Sequence, residues 1–254
     1  MRVLFWGTST FAVPSLRALV GEGFDVVGAV TQPDRPVRRS RSTVVAPPVK
    51  ETAAAEQIPV LQPERPRGAP FLASIAALEP EISVVVSYGH LLPRAAIELP
   101  PLGTINVHAS LLPKLRGAAP IQAAVRDGYI ETGISIVRMV SELDAGPIIL
   151  QARTPIASDE TYGELELRLS ELGALALVEA LTLLSMNQAS AREQDHAAAT
   201  YAGKIDRSMA RIPWREGCGV VGRLIRAYDP KPGAYTHLRD VQVKLFGARE
   251  TEAV

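Results

Sequence analysis

Short, almost entirely apolar runs recur along the first half of this sequence, and they restrict its fold more than any other feature. Runs of this length are typical of strands covered on both faces of a sheet. Between them lie stretches with helical spacing of apolar residues, including Pro70 to Leu78. The pattern predicts an α/β fold with a mostly parallel sheet. The runs are Val3 to Trp6, Val26 to Val30, Ile82 to Val86 and Thr104 to Val107.

The second half continues this pattern and then changes character. Gly133 to Met139 and Ile148 to Gln151 are expected to be neighbouring strands. A long amphipathic helix is expected from Tyr162 to about Met186, because Ser158 to Thr161 supply good N-cap residues. The sequence thus predicts that the main core closes at the end of this helix.

A polar, alanine-rich stretch without apolar periodicity follows the helix and predicts a linker. Beyond it we expect a helix from Arg215 to Tyr228, and a hairpin in which Ala234 to Leu238 pairs with Val241 to Phe246 around Arg239 and Asp240. The expected organisation is a catalytic domain at 1–187, a linker at 188–206 and a small C-terminal region at 207–254.

Charge, apolar stretches and cysteine content bear on whether the protein binds nucleic acid, a membrane or a metal. Lys and Arg together number 27, as do Asp and Glu, so the net charge of zero gives no global attraction to nucleic acid or membrane. No apolar stretch is long enough to cross a bilayer. The single cysteine, Cys218, has no Cys or His nearby at a metal-binding spacing. We expect a monomeric, cytoplasmic protein that needs no metal and binds no membrane.

The strand from Thr104 places Asn106 and His108 on one face, because side chains alternate along a strand. The carboxyl ends of strands are where open α/β sheets bind their ligands. An isolated Asn-x-His is weak evidence, since a histidine at a strand end is often only a hydrogen-bonded core residue. The loop that follows, Ala109 to Pro120, carries the proline and glycine residues typical of a rigid functional rim.

Asp144 follows the next predicted strand and is expected at the same edge of the sheet. Taken alone, an aspartate two residues before Gly146 is more simply a turn residue. Beside His108, its carboxylate would favour the protonated imidazole, while Asn106 could donate a hydrogen bond to a developing oxyanion. Together the three residues suit attack on a carbonyl carbon.

The stretch from Asn106 to Gln122, Asn-Val-His-Ala-Ser-Leu-Leu-Pro-Lys-Leu-Arg-Gly-Ala-Ala-Pro-Ile-Gln, with Leu143 to Gly146 downstream, closely resembles the signature of the folate-dependent formyltransferases. Within that family the sequence is most similar to the enzymes that act on methionyl-tRNA. The resemblance extends over nearly the whole chain, with further matches at Thr31 to Pro36, Pro48 to Lys50, Val86 to Gly89, Thr132 to Gly133, Tyr201 to Ile205 and Ile225 to Tyr228.

The resemblance implies a Rossmann-like formyltransferase domain, a reaction, and roles for these residues. The donor would be 10-formyltetrahydrofolate, with its pterin held near Tyr88 and the loop of Ser110, Leu111, Leu112 and Pro113. The acceptor amine would attack the formyl carbon while Asn106 and protonated His108 hold the oxyanion. Asp144 would keep His108 charged and help to relay a proton. No metal is implied.

The main local concentration of positive charge is an arginine-rich segment with two prolines, from Gln32 to Ser42. It contains Arg35, Arg38, Arg39 and Arg41. By composition it is either a solvated loop or a phosphate-binding one. The resemblance implies that it meets the acceptor stem of initiator methionyl-tRNA, although the segment reads Val-Arg-Arg-Ser-Arg-Ser where the family usually has a Gly-Arg-Gly-Lys-like core.

Two other functions compete with this interpretation. Related enzymes with the same Asn, His and Asp formylate nucleotide-linked amino sugars. A dinucleotide-binding protein is the alternative from another class, but the first turn, Gly7 to Phe11, lacks the Gly-x-Gly-x-x-Gly pattern. The family also continues into an OB-like barrel, of which this sequence is expected to supply only the first strands before Val254.

Overall fold

The structure is a computed structural model that describes residues 1–37 and 40–249. Its strands are β1 Arg2–Gly7, β2 Asp25–Val30, β3 Arg35–Val37, β4 Ser40–Val45, β5 Val60–Leu61, β6 Ile82–Val86, β7 Thr104–His108, β8 Glu131–Arg138, β9 Ile148–Pro155, β10 Ala234–Leu238 and β11 Val241–Leu245. Its α-helices are α1 Val13–Gly21, α2 Pro48–Ala55, α3 Ala69–Ala76, α4 Arg94–Ile97, α5 Pro120–Arg126, α6 Tyr162–Ser185 and α7 Cys218–Ala227. Single 3₁₀ turns lie at Thr10–Ala12, His196–Ala198 and Arg207–Ala210.

The main sheet has the strand order β5-β2-β1-β6-β7-β8-β9. Strands β5, β2, β1, β6 and β7 run parallel to one another, and β8 runs antiparallel to β7. The predicted α/β fold with a mostly parallel sheet is therefore confirmed. The four apolar runs in the first half of the chain all form strands of this sheet. Neighbouring residues such as Phe5 and Trp6, which face opposite sides of the sheet, are both buried, so the sheet is covered on both faces.

The described chain divides into two compact units of interleaved segments. The first consists of Met1–His108, Ser135–Gln151 and Ser170–Gln194. The second consists of Ala109–Ile134, Ala152–Leu169 and the chain from Asp195 onward.

The core of the first unit contains a cluster around Trp6. Its ring meets those of Phe71 and Tyr88 edge-on, at centroid distances of 5.8 and 5.4 Å. The indole Nε1 donates a hydrogen bond of 3.2 Å to Ser83 Oγ, which gives the buried polar atom a partner. Leu4, Val30 and other buried residues complete the cluster. This packing fixes the carboxyl ends of β1 and β6 next to one another.

In the second unit, β10 and β11 form the predicted antiparallel hairpin. Arg239, in the turn between these two strands, has a φ of 53°. The helix predicted from Arg215 begins only at Cys218, because Gly217, with extended backbone, is its N-cap. The end of β9 also differs from the sequence prediction, since the strand continues past Gln151 to Pro155.

The arginine-rich segment was expected to be a loop, but it contains a small hairpin of β3 and β4. Its first strand includes Pro36, a residue that disfavours strand prediction. Among the described residues, no helix combines the length and the apolar content needed to cross a membrane.

Candidate active site

Strand β7 places two polar side chains at the carboxyl edge of the sheet. Asn106 pairs with Val85 on one side and Val137 on the other, and His108 pairs with Ser135. Because they lie two residues apart on one strand, their side chains share a face. The His108 side chain is only 6% exposed and that of Asn106 is half-buried. The sheet thus holds Asn106 between two strands, and β8 holds His108 from one side.

Asp144 meets both of these side chains. Its Oδ1 lies 3.4 Å from Asn106 Nδ2, which donates to it, and its Oδ2 lies 3.6 Å from His108 Nδ1. The second distance is that of an ion pair rather than a hydrogen bond. The Asp144 side chain is 13% exposed. One largely buried carboxylate therefore faces an amide and an imidazole with its two oxygens, as the sequence predicted for this edge.

The turn that carries Asp144 connects β8 to β9 and has an unusual backbone. Asp144 adopts a φ of 49°, a left-handed conformation that aspartate accepts better than most residues. Gly146 is required for a different reason. A Cβ at this position would lie 1.9 Å from the carbonyl oxygen of Arg138. The backbone therefore packs against the end of β8 more closely than any side chain permits.

Gln194 also contacts this turn, and sequence reasoning did not single it out. It lies in the stretch predicted to be a linker, yet it is only 5% exposed. Its Nε2 donates to the carbonyl oxygens of Asp144, at 2.8 Å, and Gly146, at 2.7 Å. Leaving a buried carbonyl without its donor costs about 1–3 kcal/mol. No local pattern in the sequence indicates this long-range contact.

Tyr88, expected near the pterin, lies in the first unit with its side chain only 1% exposed. Burial raises the pKa of its phenol to about 12. Its carbonyl oxygen accepts hydrogen bonds of 2.8 Å from Thr8 Oγ1 and from Gln32 Nε2. The ring belongs to the core around Trp6, so any ligand contact must come from the backbone. Its role in folate binding stays a prediction.

The loop of Ser110, Leu111, Leu112 and Pro113 lies in the second unit. Ser110 Oγ donates to the carbonyl oxygen of Lys114 at 2.6 Å. Pro113 accepts from the backbone N–H of Thr200 at 3.3 Å. Ser110 and Leu112 are buried, while Leu111 and Pro113 are partly exposed. The predicted folate contacts of this loop also stay predictions.

At the end of the same motif, Arg116 and Gly117 lie against residues 200–202. The backbone N–H of Arg116 donates to Thr200 O at 2.8 Å, and its carbonyl accepts from Ala202 N at 2.7 Å. Gly117 has a φ of 116°, and a Cβ there would lie 2.5 Å from the carbonyl oxygen of Ala202. The motif loop is therefore rigid because its backbone pairs with residues 200–202.

The arginine segment is anchored at its start. Asp34 accepts from Lys50 Nζ at 2.6 and 2.8 Å and from Gln62 Nε2 at 2.7 Å. These hydrogen bonds, that of Gln62 first, hold the pKa of Asp34 below its ordinary value. Arg35 is exposed and donates to Gln32 Oε1.

The structure does not describe the side chains of the other arginines of this segment. Arg38 and Arg39 lie outside the described residues. Arg41 lies on β4, where only the backbone is described. Their predicted contact with tRNA stays a prediction.

Within residues 1–37 and 40–249, no group of three or more His, Cys, Asp or Glu side chains could hold a metal ion.

Family models match most of the chain. The formyl transferase model matches residues 1–181, and the model of the formyl transferase C-terminal domain matches residues 204–253. Methionyl-tRNA formyltransferase of Moorella thermoacetica is 45% identical over 99% of this chain and 81% of its own length. That of Pseudomonas putida strain GB-1 is 44% identical, over 98% of this chain and 80% of its own. The chain belongs to the methionyl-tRNA formyltransferase family.

The family and the fold inferred from the sequence are thus confirmed. A solved sugar N-formyltransferase from Shewanella shares the fold, with a TM-score of 0.75, 18% identity, and 99% of each chain covered. At this identity the likeness concerns the fold alone. The domain boundaries predicted at 187 and 206 stay predictions, with the two family matches ending and beginning at 181 and 204.

Proposed function

We propose that this chain transfers the formyl group of 10-formyltetrahydrofolate to the amino group of initiator methionyl-tRNA, giving formylmethionyl-tRNA for translation initiation. The observation that carries the proposal is the 45% identity, over 99% of the chain, to a methionyl-tRNA formyltransferase. The arrangement of Asn106, His108 and Asp144 supports it, because these groups suit acyl transfer to an amine. In this proposal the protein acts as a cytoplasmic monomer without a metal.

The reaction forms one bond and breaks another at the formyl carbon. The amine nitrogen of the acceptor attacks that carbon, and negative charge develops on the formyl oxygen. The Asn106 amide and a protonated His108 donate hydrogen bonds to this oxygen. Since both side chains project from one strand, they need little rearrangement to do so. The bond to N10 then breaks and tetrahydrofolate leaves.

The proton balance assigns a role to Asp144. The attacking amine loses a proton and N10 of the leaving folate gains one, so the overall reaction consumes no acid or base. Asp144, with Oδ2 at 3.6 Å from His108 Nδ1, stabilises the imidazolium and relays the proton from the amine. Its second oxygen, 3.4 Å from Asn106 Nδ2, orients the amide.

Folate is proposed to contact the backbone at Tyr88 and the loop of Ser110, Leu111, Leu112 and Pro113. The backbone near Tyr88 is well fixed, since Thr8 and Gln32 both donate to its carbonyl. The loop is fixed in turn by Ser110 Oγ and by the backbone pairing of Pro113 with Thr200. Rigid binding elements reduce the entropy that binding must remove.

The acceptor stem of the tRNA is proposed to meet Arg35, Arg38, Arg39 and Arg41. Arginine side chains suit phosphate contacts, which supply much of the affinity for nucleic acids, and Arg35 is exposed. The bonds from Lys50 and Gln62 to Asp34 hold the start of this hairpin.

The acceptor can be tested with purified protein and 10-formyltetrahydrofolate. Methionyl-tRNA and a nucleotide-linked amino sugar are supplied in separate reactions, and the products are identified by mass spectrometry. We expect formylation of the α-amino group of methionyl-tRNA and none of the sugar. Formylation of the sugar but not of the charged tRNA would overturn the proposed acceptor, and no formyl transfer to either would overturn the proposed reaction.

A further inference from the structure

We propose that Gln194 is a positioning residue for the reaction, holding the Asp144 turn so that its carboxylate faces Asn106 and His108. The inference rests on the proposed function, because Asp144 needs a defined position only if it takes part in formyl transfer. Gln194 acts through the backbone of Asp144 and is not itself placed against the reacting atoms.

The contact uses the full donor capacity of the glutamine amide. A side-chain amide has two N–H groups. Here Nε2 of Gln194 lies 2.8 Å from the carbonyl oxygen of Asp144 and 2.7 Å from that of Gly146. The two carbonyls lie on either side of Ala145. One amide therefore clamps both ends of a three-residue segment.

The two hydrogen bonds from Gln194 hold a segment whose backbone conformation is unusual. Asp144 is in a left-handed conformation with a φ of 49°, and Gly146 packs directly against the carbonyl oxygen of Arg138. Such a conformation persists only when its surroundings hold it. The direction of the Asp144 side chain follows from this backbone, so its distances to Asn106 and His108 depend on the turn.

Gln194 is itself held in place by the residues before it. Arg192 and Ile148 exchange two backbone hydrogen bonds of 2.8 Å, which tie this stretch to the start of β9. Arg192 Nη2 also donates to Gln151 Oε1 at 3.1 Å. A glutamine supported in this way, buried to 95%, can fix the turn because it cannot easily change rotamer.

The test compares Gln194→Met, which keeps the length of the side chain but removes the donors, with Gln194→Glu, which keeps its shape but has no N–H when ionised. Gln188→Met is the matched control, the same change at an exposed position of the same stretch. We expect kcat for formyl transfer to fall about 10- to 100-fold in both Gln194 variants, because small displacements of reacting groups are costly. KM for both substrates should stay within about twofold, and the control should match wild type.

A purely structural role would lower the melting temperature and the amount of active protein, but not kcat for each folded molecule. That outcome would overturn the proposal. The double variant Gln194→Met, Asp144→Ala gives a second criterion. If Gln194 acts through Asp144, its loss should change kcat by less than about twofold once Asp144 is gone. An undiminished additional loss would contradict the proposal.

The same set of variants separates this inference from the proposed function. If Asp144→Ala is inactive while Gln194→Met and Gln194→Glu have wild-type kcat, only the role of Gln194 is wrong. If Asp144→Ala itself keeps wild-type kcat, the proposed role of Asp144 is wrong, and the role of Gln194 falls with it.

Discussion

The edge of the sheet at β7 and the hairpin of β3 and β4 belong to the same compact unit but are built in opposite ways. At β7, Asn106 lies between two paired strands and His108 pairs with β8, and Asp144 reaches both from a turn fixed by backbone contacts. On the hairpin, Arg35, Val44 and Val45 are exposed, and the described contacts of Asp34 hold its start.

The difference reflects what each region is proposed to do. Stabilising a developing charge requires donors that are already in position, and burial strengthens their effect. Attraction to a phosphate backbone depends mainly on charge and is effective without one fixed geometry. Substitutions at the β7 edge should therefore change the rate of formyl transfer, whereas substitutions on the hairpin should change tRNA affinity and its dependence on salt.

The largest effect is expected for His108→Ala. Removing the imidazole should lower kcat about 10³-fold, within the range found for general acid–base and oxyanion-stabilising groups. The tRNA dissociation constant should stay within about twofold of wild type. The arginine hairpin is a separate two-stranded sheet that follows β2, and strands β1 and β6 lie between β2 and the β7 strand of His108. Steady-state kinetics together with filter binding would measure both. If His108→Ala kept its kcat but lost tRNA affinity, the β7 edge and the hairpin would not differ in the way proposed.

Gly146→Ala should have the next largest effect. The new Cβ would lie 1.9 Å from Arg138 O, so the turn that carries Asp144 must move. We expect kcat to fall about 10²-fold, as for other small displacements of catalytic groups. Gly21→Ala is the matched control, since a Cβ there meets nothing within 4 Å. Equal kcat in the two variants would show that the position of this turn does not matter for the reaction.

The combined replacement of Arg38, Arg39 and Arg41 by alanine should weaken tRNA binding and leave kcat at saturating tRNA within about twofold. Each lost phosphate contact should reduce the slope of log affinity against log salt by about 0.7 to 0.9. Three contacts would thus reduce it by about 2 to 3. Binding titrations at several salt concentrations measure the slope, with Arg17→Ala, an exposed arginine on α1, as control. An unchanged slope would remove this segment from the tRNA-binding surface.

The smallest effect concerns the start of the hairpin. The pKa of Asp34 is lowered in the folded protein by its bonds from Gln62 and Lys50. Its contribution to stability is therefore present above the unfolded-state pKa of about 4 and is lost as pH falls through the lower folded-state value. We expect Asp34→Asn to be slightly less stable than wild type near neutral pH.

Urea denaturation at several pH values checks this prediction. The difference in unfolding free energy between wild type and Asp34→Asn should be constant from neutral pH to about pH 5 and should shrink below about pH 4. Lys50→Met should reduce that pH dependence, because it removes one of the donors. A difference that instead grows as the solution becomes more acidic would contradict the assigned direction of the pKa shift.

The sequence predicted the strands of the sheet well because their residues are apolar and buried locally, as in β1 and β6. It also predicted that Asn106, His108 and Asp144 would meet, since strand alternation and the strand order bring them to one edge. It did not predict the β3–β4 hairpin, whose proline and arginine content is typical of loops. Nor did it indicate Gln194, because its importance comes from contacts 50 and 48 residues away in the chain.

The most direct test of this separation of chemistry from tRNA binding is a single-turnover experiment at saturating methionyl-tRNA and 10-formyltetrahydrofolate, with tRNA affinity measured in parallel. His108→Ala should lose about 10³-fold in the rate of formyl transfer and keep its affinity. The combined replacement of Arg38, Arg39 and Arg41 should keep the rate and lose affinity. If both variants lower the same quantity, or if His108→Ala transfers the formyl group at the wild-type rate, the account given for the β7 edge is wrong.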